Sequence, residues 1–144
     1  MKNVTKMKIA KPAIEVFEAL VDQNKIGNYW FSSSSERWEE GKTITLKYNE
    51  YNAEGQMEVV EIEMNKKIVF KWGPAEEVHT VTITLNETEQ SNTIIEVVED
   101  GFIEEDDNLL LKMLDNKEGW VYMLTCLKGY LENGINNLRA DLVK

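Results

Sequence analysis

Residues 68–101, IVFKWGPAEEVHTVTITLNETEQSNTIIEVVEDG, hold the pattern on which the fold prediction rests. Within Val78–Leu85 apolar side chains alternate with threonines, so one face of the segment is apolar and the other is polar. Ile68–Trp72 precedes it across a Gly-Pro turn, and Thr93–Glu99 follows it across a polar turn. A period of two, interrupted by turn residues about every ten positions, predicts neighbouring antiparallel strands.

Further strands are predicted nearer the N-terminus, and they bring the sheet to about six strands. The segments with this character are Asn3–Ile9, Lys42–Tyr48 and Gln56–Met64. Ser32–Ser35 consists of turn-forming residues, so we predict a loop there.

Two short helices are predicted after the first strand. Pro12 suits the first turn of a helix, and Ala13–Val21 follows it with apolar residues at helical spacing. Gln23–Phe31 is predicted as the second short helix and ends in a cluster of three aromatic residues.

The strongest helical pattern lies near the C-terminus, in Lys117–Asn133. Its apolar face, spaced at i, i+3, i+4, i+7 and i+11, consists of Trp120, Met123, Leu124, Leu127 and Leu131. Gly134 is placed to end this helix. Leu109–Leu114 is predicted as a short helix or a packed loop, and apolar residues in the tail 135–144 would allow one further turn.

The composition limits the classes of function. The 144 residues are predicted to form one domain, 1–144, and no apolar run approaches the ~20 residues of a membrane span. The net charge of −10 disfavours nucleic-acid and anionic-membrane partners, which need basic surfaces. Cys126 is the single cysteine, which excludes a disulfide framework. We expect a cytoplasmic protein without a metal or other cofactor.

The predicted order is strand, two short helices, five strands and a long helix. This is the order of the α+β helix-grip fold, in which a curved antiparallel sheet wraps around a long C-terminal helix. Residues 16–22, VFEALVD, and 29–31, YWF, resemble the opening of the START-like, Bet v 1-like (SRPBCC) superfamily. Residues 68–72, 99–102 (EDGF) and 119–132 are similar to its branch of Hsp90 ATPase activator homologues.

The resemblance implies a cavity between the sheet and the long helix. The superfamily includes lipid carriers, plant-hormone receptors, polyketide cyclases and co-chaperone domains, so the resemblance indicates the fold more closely than the activity. Position 99 is often His in this pattern and is Glu99 here. We therefore expect a ligand preference that differs from that of relatives with His.

Ten residues are predicted to line this cavity: Trp30, Phe70, Trp72, His79, Val81, Glu99, Trp120, Met123, Leu124 and Leu127. The parity of the strands puts His79 in phase with apolar neighbours, and one of two possible phases does the same for Glu99. A plain packed core is the alternative for the aromatic residues, and a hydrogen-bonded residue without a chemical role is the alternative for His79. Trp38, set among charges, is predicted to cover a sheet edge.

Three functional hypotheses follow. The first is a binding protein that holds a small hydrophobic molecule, such as a lipid or an aromatic metabolite, in the cavity. The second is a stress-response or chaperone-linked module that binds a protein partner through its acidic surface. The third is a cyclase-like or hydrolase-like enzyme in which His79 and Glu99 act as an acid/base pair.

Overall fold

A computed structural model describes residues 1–143 of the chain. One curved, open antiparallel sheet has the strand order β1-β7-β6-β5-β4-β3-β2, so β1 and β2 are its edges. The strands are β1 Lys2–Ile9, β2 Ser33–Ser34, β3 Thr43–Tyr48, β4 Ala53–Glu63, β5 Lys67–Trp72, β6 His79–Glu87 and β7 Thr93–Asp100. The α-helices are α1 Ala13–Val21 and α2 Leu109–Asn133. This architecture confirms the predicted helix-grip fold.

The sheet has seven strands rather than about six because two serines pair with a neighbouring strand. Ser33 and Ser34 lie opposite Lys47 and Leu46 of β3, where a loop was predicted. The Ser34 hydroxyl also accepts a hydrogen bond from the indole of the buried Trp38. Tertiary contacts therefore create this strand, since Ser-Ser itself has no strand pattern.

The prediction of a second short helix at Gln23–Phe31 is wrong for most of that segment. Only a single 3-10 turn forms, at Ile26–Asn28, and Tyr29 ends it with a non-helical backbone. The apolar residues at 26, 29 and 30 do have helical spacing, but Gly27 and Asn28 between them are weak helix formers. Their burial comes from packing against the sheet and α2, not from a helix face.

The C-terminal helix is longer than its strongest sequence pattern. α2 includes both Leu109–Leu114 and the predicted Lys117–Asn133 in one 25-residue helix. It ends at Gly134, whose left-handed backbone (φ 68°) and N–H bond to the Tyr130 carbonyl confirm the predicted stop. Residues 134–143 continue without a further helical turn. Lys144, the last residue of the predicted tail, lies outside the described residues.

The core lies between the sheet, α1 and the C-terminal part of α2. Apolar residues at alternate strand positions face inward, and α2 adds Trp120, Met123, Leu124, Cys126 and Leu127. Trp38 belongs to this core and not to a sheet edge, which corrects the prediction made for it. Its neighbour Arg37 pairs with Glu18 at the surface, so the indole turns inward beneath that ion pair.

Candidate functional site

A cavity of about 610 Å³ opens between the middle of α2, the sheet and the tail after α2. Aromatic side chains make most of its wall: Tyr29, Trp30, Tyr48, Tyr51, Trp72, Trp120 and Tyr122. Met123 and Leu142 add apolar surface, and Asp115, Asn116 and Arg139 add polar groups. A concave, largely apolar site with a few polar groups is the usual form of a small-molecule pocket.

Three tryptophans form the inner wall of this aromatic cavity. The ring of Trp30 lies 6.2 Å from that of Trp72 and 5.3 Å from that of Trp120, centroid to centroid. Trp72 and Trp120 are 5.8 Å apart. Tilted and edge-to-face rings at these separations are the favourable aromatic geometries. The chain thus brings together residues from the segment before β2, from β5 and from α2.

Glu99 holds two of these rings in place. One carboxylate oxygen accepts a hydrogen bond from Trp120 Nε1 at 2.9 Å, and the other accepts one from Trp72 Nε1 at 3.2 Å. His79 Nδ1 lies 2.6 Å from the second oxygen. Glu99 is only 3% exposed, so these three partners provide the compensation that a buried carboxylate requires.

A chain of hydrogen-bonded polar side chains connects Glu99 with the surface. His79 Nε2 lies 2.7 Å from a carboxylate oxygen of Glu77, whose other oxygen is 3.2 Å from Lys112 Nζ. Lys112 also pairs with Asp106 at the start of α2. These hydrogen bonds, first from His79 and then from Lys112, lower the pKa of Glu77. The network ties β6 and β7 to the first turns of α2.

The tail after α2 forms the outer wall of the aromatic cavity through Arg139. Its guanidinium makes a two-pronged pair with Glu50 at 2.8 and 3.0 Å, and it also donates to the Trp30 carbonyl and to Ser32 Oγ. Because of this pairing, the pKa of Glu50 falls to about 2. One arginine side chain therefore connects the tail with both sides of the cavity mouth.

Tyrosines fasten the same tail. The Tyr48 hydroxyl donates to the Arg139 carbonyl at 2.6 Å, and the guanidinium carbon lies 4.6 Å from the centre of the Tyr48 ring. Burial raises the pKa of Tyr48 to about 12, so its hydroxyl remains a donor at neutral pH. Tyr122 donates to the carbonyl of Leu138. Tyr48, Tyr51, Tyr122 and Arg139 were not among the predicted site residues, because their positions depend on where the irregular tail lies.

The ten predicted cavity residues fall into three groups. Trp30, Trp72, Trp120 and Met123 line the aromatic cavity. His79 and Glu99, with Trp72, line a second cavity of about 480 Å³ that extends from β3 and β4 to the ends of β5 to β7. The structure places the other four in the packed core, at 0% exposure: Phe70, Val81, Leu124 and Leu127.

Within residues 1–143, no group of three or more His, Cys, Asp or Glu side chains is arranged to hold a metal ion. In the same residues, no helix combines the length and apolar character needed to cross a membrane. Cys126 is buried in the core, and this burial raises the pKa of its thiol.

Comparison with known families gives one match over most of the chain. The model of the family described as "Activator of Hsp90 ATPase homolog 1-like protein" matches residues 10–132. A comparison with curated proteins gives no match.

Several solved structures have the same fold. The protein SSP2350 from Staphylococcus saprophyticus is 47% identical, with a TM-score of 0.85 over 96% of this chain and 97% of that one. An Aha1 dimer from Colwellia psychrerythraea is 17% identical, with a TM-score of 0.78 over 93% and 98%. DynU16, a protein of the dynemicin biosynthetic locus, is 18% identical, with a TM-score of 0.84 over 96% of this chain and 50% of that one.

Proposed function

The chain belongs to the family of activator of Hsp90 ATPase homolog 1-like proteins, and from this premise we propose that it binds a small hydrophobic ligand in its aromatic cavity. The observation that supports this proposal is the cavity itself. It has about 610 Å³ and is walled by three tryptophans and four tyrosines. Pockets for drug-sized molecules occupy roughly 300–1,000 Å³.

The wall chemistry favours a ligand with a flat, apolar body. Burial of apolar area contributes roughly 25 cal/mol per Å² to binding, before the costs of association are subtracted. Aromatic rings add stacking contacts with another ring system. An aromatic metabolite therefore fits the tryptophan wall better than a saturated lipid, although both remain within the proposed class.

Few polar groups face the ligand. Glu99 turns both carboxylate oxygens toward the indoles and His79, so it positions the tryptophan wall. Asn116 and Asp115 of α2 are among the polar residues that line the cavity. We propose that these α2 groups orient the ligand while Trp30, Trp72 and Trp120 supply the affinity.

Thermal unfolding and tryptophan fluorescence test the proposal with two probes, naphthol and palmitate. A ligand that binds only the folded state raises its stability by about 2.7 kcal/mol at 100 times Kd, so the midpoint should rise with probe concentration. Quenching of tryptophan emission should follow the same Kd, because three of the four tryptophans line the cavity. Native mass spectrometry of the purified protein shows whether a ligand accompanies it.

Gly119 offers a variant that blocks the cavity without disturbing the core. It lies in α2 and lines the cavity, and a Cβ added there meets nothing within 4 Å. We expect Gly119→Leu to weaken probe binding by about tenfold or more while the protein stays folded. Gly119→Ala is the matched control and should bind normally. No shift with either probe, or equal binding by the leucine variant, would contradict a ligand site here.

An acid/base enzyme is the second candidate, and the contact between His79 and Glu99 is the observation that favours it. Against it, both carboxylate oxygens and both ring nitrogens already have partners within the chain. We therefore place it behind the binding protein. If a reaction is found, His79→Ala should abolish it. A variant that retained full activity would exclude the pair as its catalyst.

A further inference from the structure

The N-terminal part of α2 exposes a cluster of three leucines. Leu110, Leu111 and Leu114 are 70%, 68% and 58% exposed. Residues three and four apart are neighbours on a helix surface, so these side chains form one leucine patch. Val121, seven positions after Leu114, continues the same face and is also exposed. Single exposed apolar residues are ordinary, but a contiguous cluster marks an interaction surface.

An acidic border surrounds the leucine patch. Residues 103–118 contain six acidic and two basic side chains. Glu104, Glu105 and Asp107 are exposed immediately before the helix, and Glu118 is exposed on it, four residues after Leu114. The patch therefore combines apolar contact area with negative charge.

The two lysines in this stretch offset part of its negative charge and leave a net charge of −4. Lys112 pairs with Asp106 and with Glu77 at the base of the helix. Lys117 donates to the carbonyl of Val4 on β1. Both ammonium groups are held within the chain and keep their charge, and the excess of carboxylates over lysines gives the surface its negative sign.

We propose that the leucine patch and its acidic border form a docking surface for a cationic amphipathic helix of a partner protein. Leucines at i, i+1 and i+4 give a helix-sized apolar contact, and the acidic border selects a partner with Lys or Arg beside its own apolar stripe. A second copy of this chain would place like charges opposite each other. An anionic membrane would be repelled for the same reason.

Binding of a model peptide to the full-length protein tests this docking surface. The probe is a fluorescein-labelled amphipathic helix of Leu and Lys with leucines at i, i+3, i+4 and i+7. Its control replaces every leucine with serine and keeps every lysine. We expect the leucine peptide to bind, with an affinity that falls as salt rises. Amide chemical shifts should move at Leu110, Leu111 and Leu114.

Variants separate this docking surface from general attraction to an acidic protein. Substituting Leu110→Ser, Leu111→Ser and Leu114→Ser together should weaken peptide binding by about tenfold or more. Val60→Ser with Met64→Ser removes exposed apolar groups elsewhere and should leave binding unchanged. Glu104→Gln, Glu105→Gln and Asp107→Asn together should weaken binding and reduce its salt dependence. Circular dichroism checks that each variant is folded.

Three results would overturn the proposal. The first is equal binding of the leucine and serine peptides, or equal binding by the triple serine variant. The second is a dimer in sedimentation that the serine substitutions dissociate, which would assign the patch to self-association. The third is attachment to phosphatidylcholine vesicles through the leucines in place of peptide binding. Each is independent of whether the aromatic cavity holds a ligand.

Discussion

Both parts of α2 contain several apolar residues, but their surroundings are opposite. All five of its buried residues lie within Trp120–Leu127, where the helix packs on the sheet. The preceding part, Leu109–Gly119, lies over the aromatic cavity with Asp115, Asn116 and Gly119 while its leucines face outward. Packing therefore depends on what lies beneath a helix, and not only on its own apolar residues. The second part of α2 anchors the fold, while the first exposes its leucines and shares the cavity wall with Trp120, Tyr122 and Met123.

Replacing one leucine with alanine in each part of α2 should give the largest difference in the free energy of unfolding. Leu124 is fully buried, so Leu124→Ala removes core contacts and leaves a cavity. We expect a loss of about 2–5 kcal/mol in the free energy of unfolding. Leu114→Ala should change it by no more than about 0.5 kcal/mol, because that side chain is exposed. Urea unfolding measures both, and similar losses would mean that the two parts are equally packed.

Glu99 of β7 accepts a hydrogen bond from Trp120, where the packed part of α2 begins. Its substitution should cause the next largest loss of stability. Glu99→Gln leaves one acceptor oxygen for two indole N–H groups and His79. A buried donor without a partner costs about 1–3 kcal/mol. Glu96→Gln, three residues earlier on β7, is the control: it breaks only a surface pair with Lys6, worth about 0–1 kcal/mol. If both variants were equally stable, Glu99 would not hold the tryptophan wall.

Alanine substitutions at two glycines, one inside α2 and one directly after it, should change the free energy of unfolding in opposite directions. Gly119→Ala replaces a glycine in the helix interior, where added Cβ has open space, and should stabilise the protein by about 0.5–1 kcal/mol. Gly134→Ala forces a left-handed backbone (φ 68°) on alanine and should destabilise it by about 1–2 kcal/mol. Thermal or urea unfolding measures both changes in stability. A stabilising Gly134→Ala would show that the helix does not end there.

The smallest effect concerns the tail beyond α2. Arg139 lowers the pKa of Glu50 to about 2, so the pair contributes fully above the ordinary glutamate pKa near 4.5. That contribution is lost as the pH falls through about 2. We expect an NMR titration of the Glu50 carboxyl to have its midpoint near 2, and Arg139→Met to return it toward 4.5. An unchanged midpoint in the variant would remove Arg139 as the anchor of the tail.

Prediction from sequence succeeded where periodicity and local chemistry agree. The alternation in residues 68–101 predicts β5, β6 and β7, and the spacing of Trp120, Met123, Leu124 and Leu127 predicts the buried face of α2. It failed at Gln23–Phe31 and at Ser33–Ser34. In both places the packing of distant segments, and not local propensity, decides the conformation.

The site shows the same division. Strand parity puts His79 on the buried face, and one of two possible phases does the same for Glu99. The structure places both there in mutual contact. Nothing in the local sequence indicates that Glu99 accepts from two tryptophans 27 and 21 residues away along the chain. The roles of Tyr48, Tyr51 and Arg139 depend on a tail without regular structure, for which periodicity has no signal.

The sequence by itself determined the antiparallel meander and the long C-terminal helix, because repeating apolar spacing encodes each element locally. Its short motifs indicated the family by resemblance. Only the tertiary structure decided which apolar residues line the cavity, which fill the core and which face the solvent. Phe70, Leu124 and Trp120 all have the character of core residues, yet only Trp120 borders open space. The physical reason is that burial depends on the shape left between elements, which no single element contains.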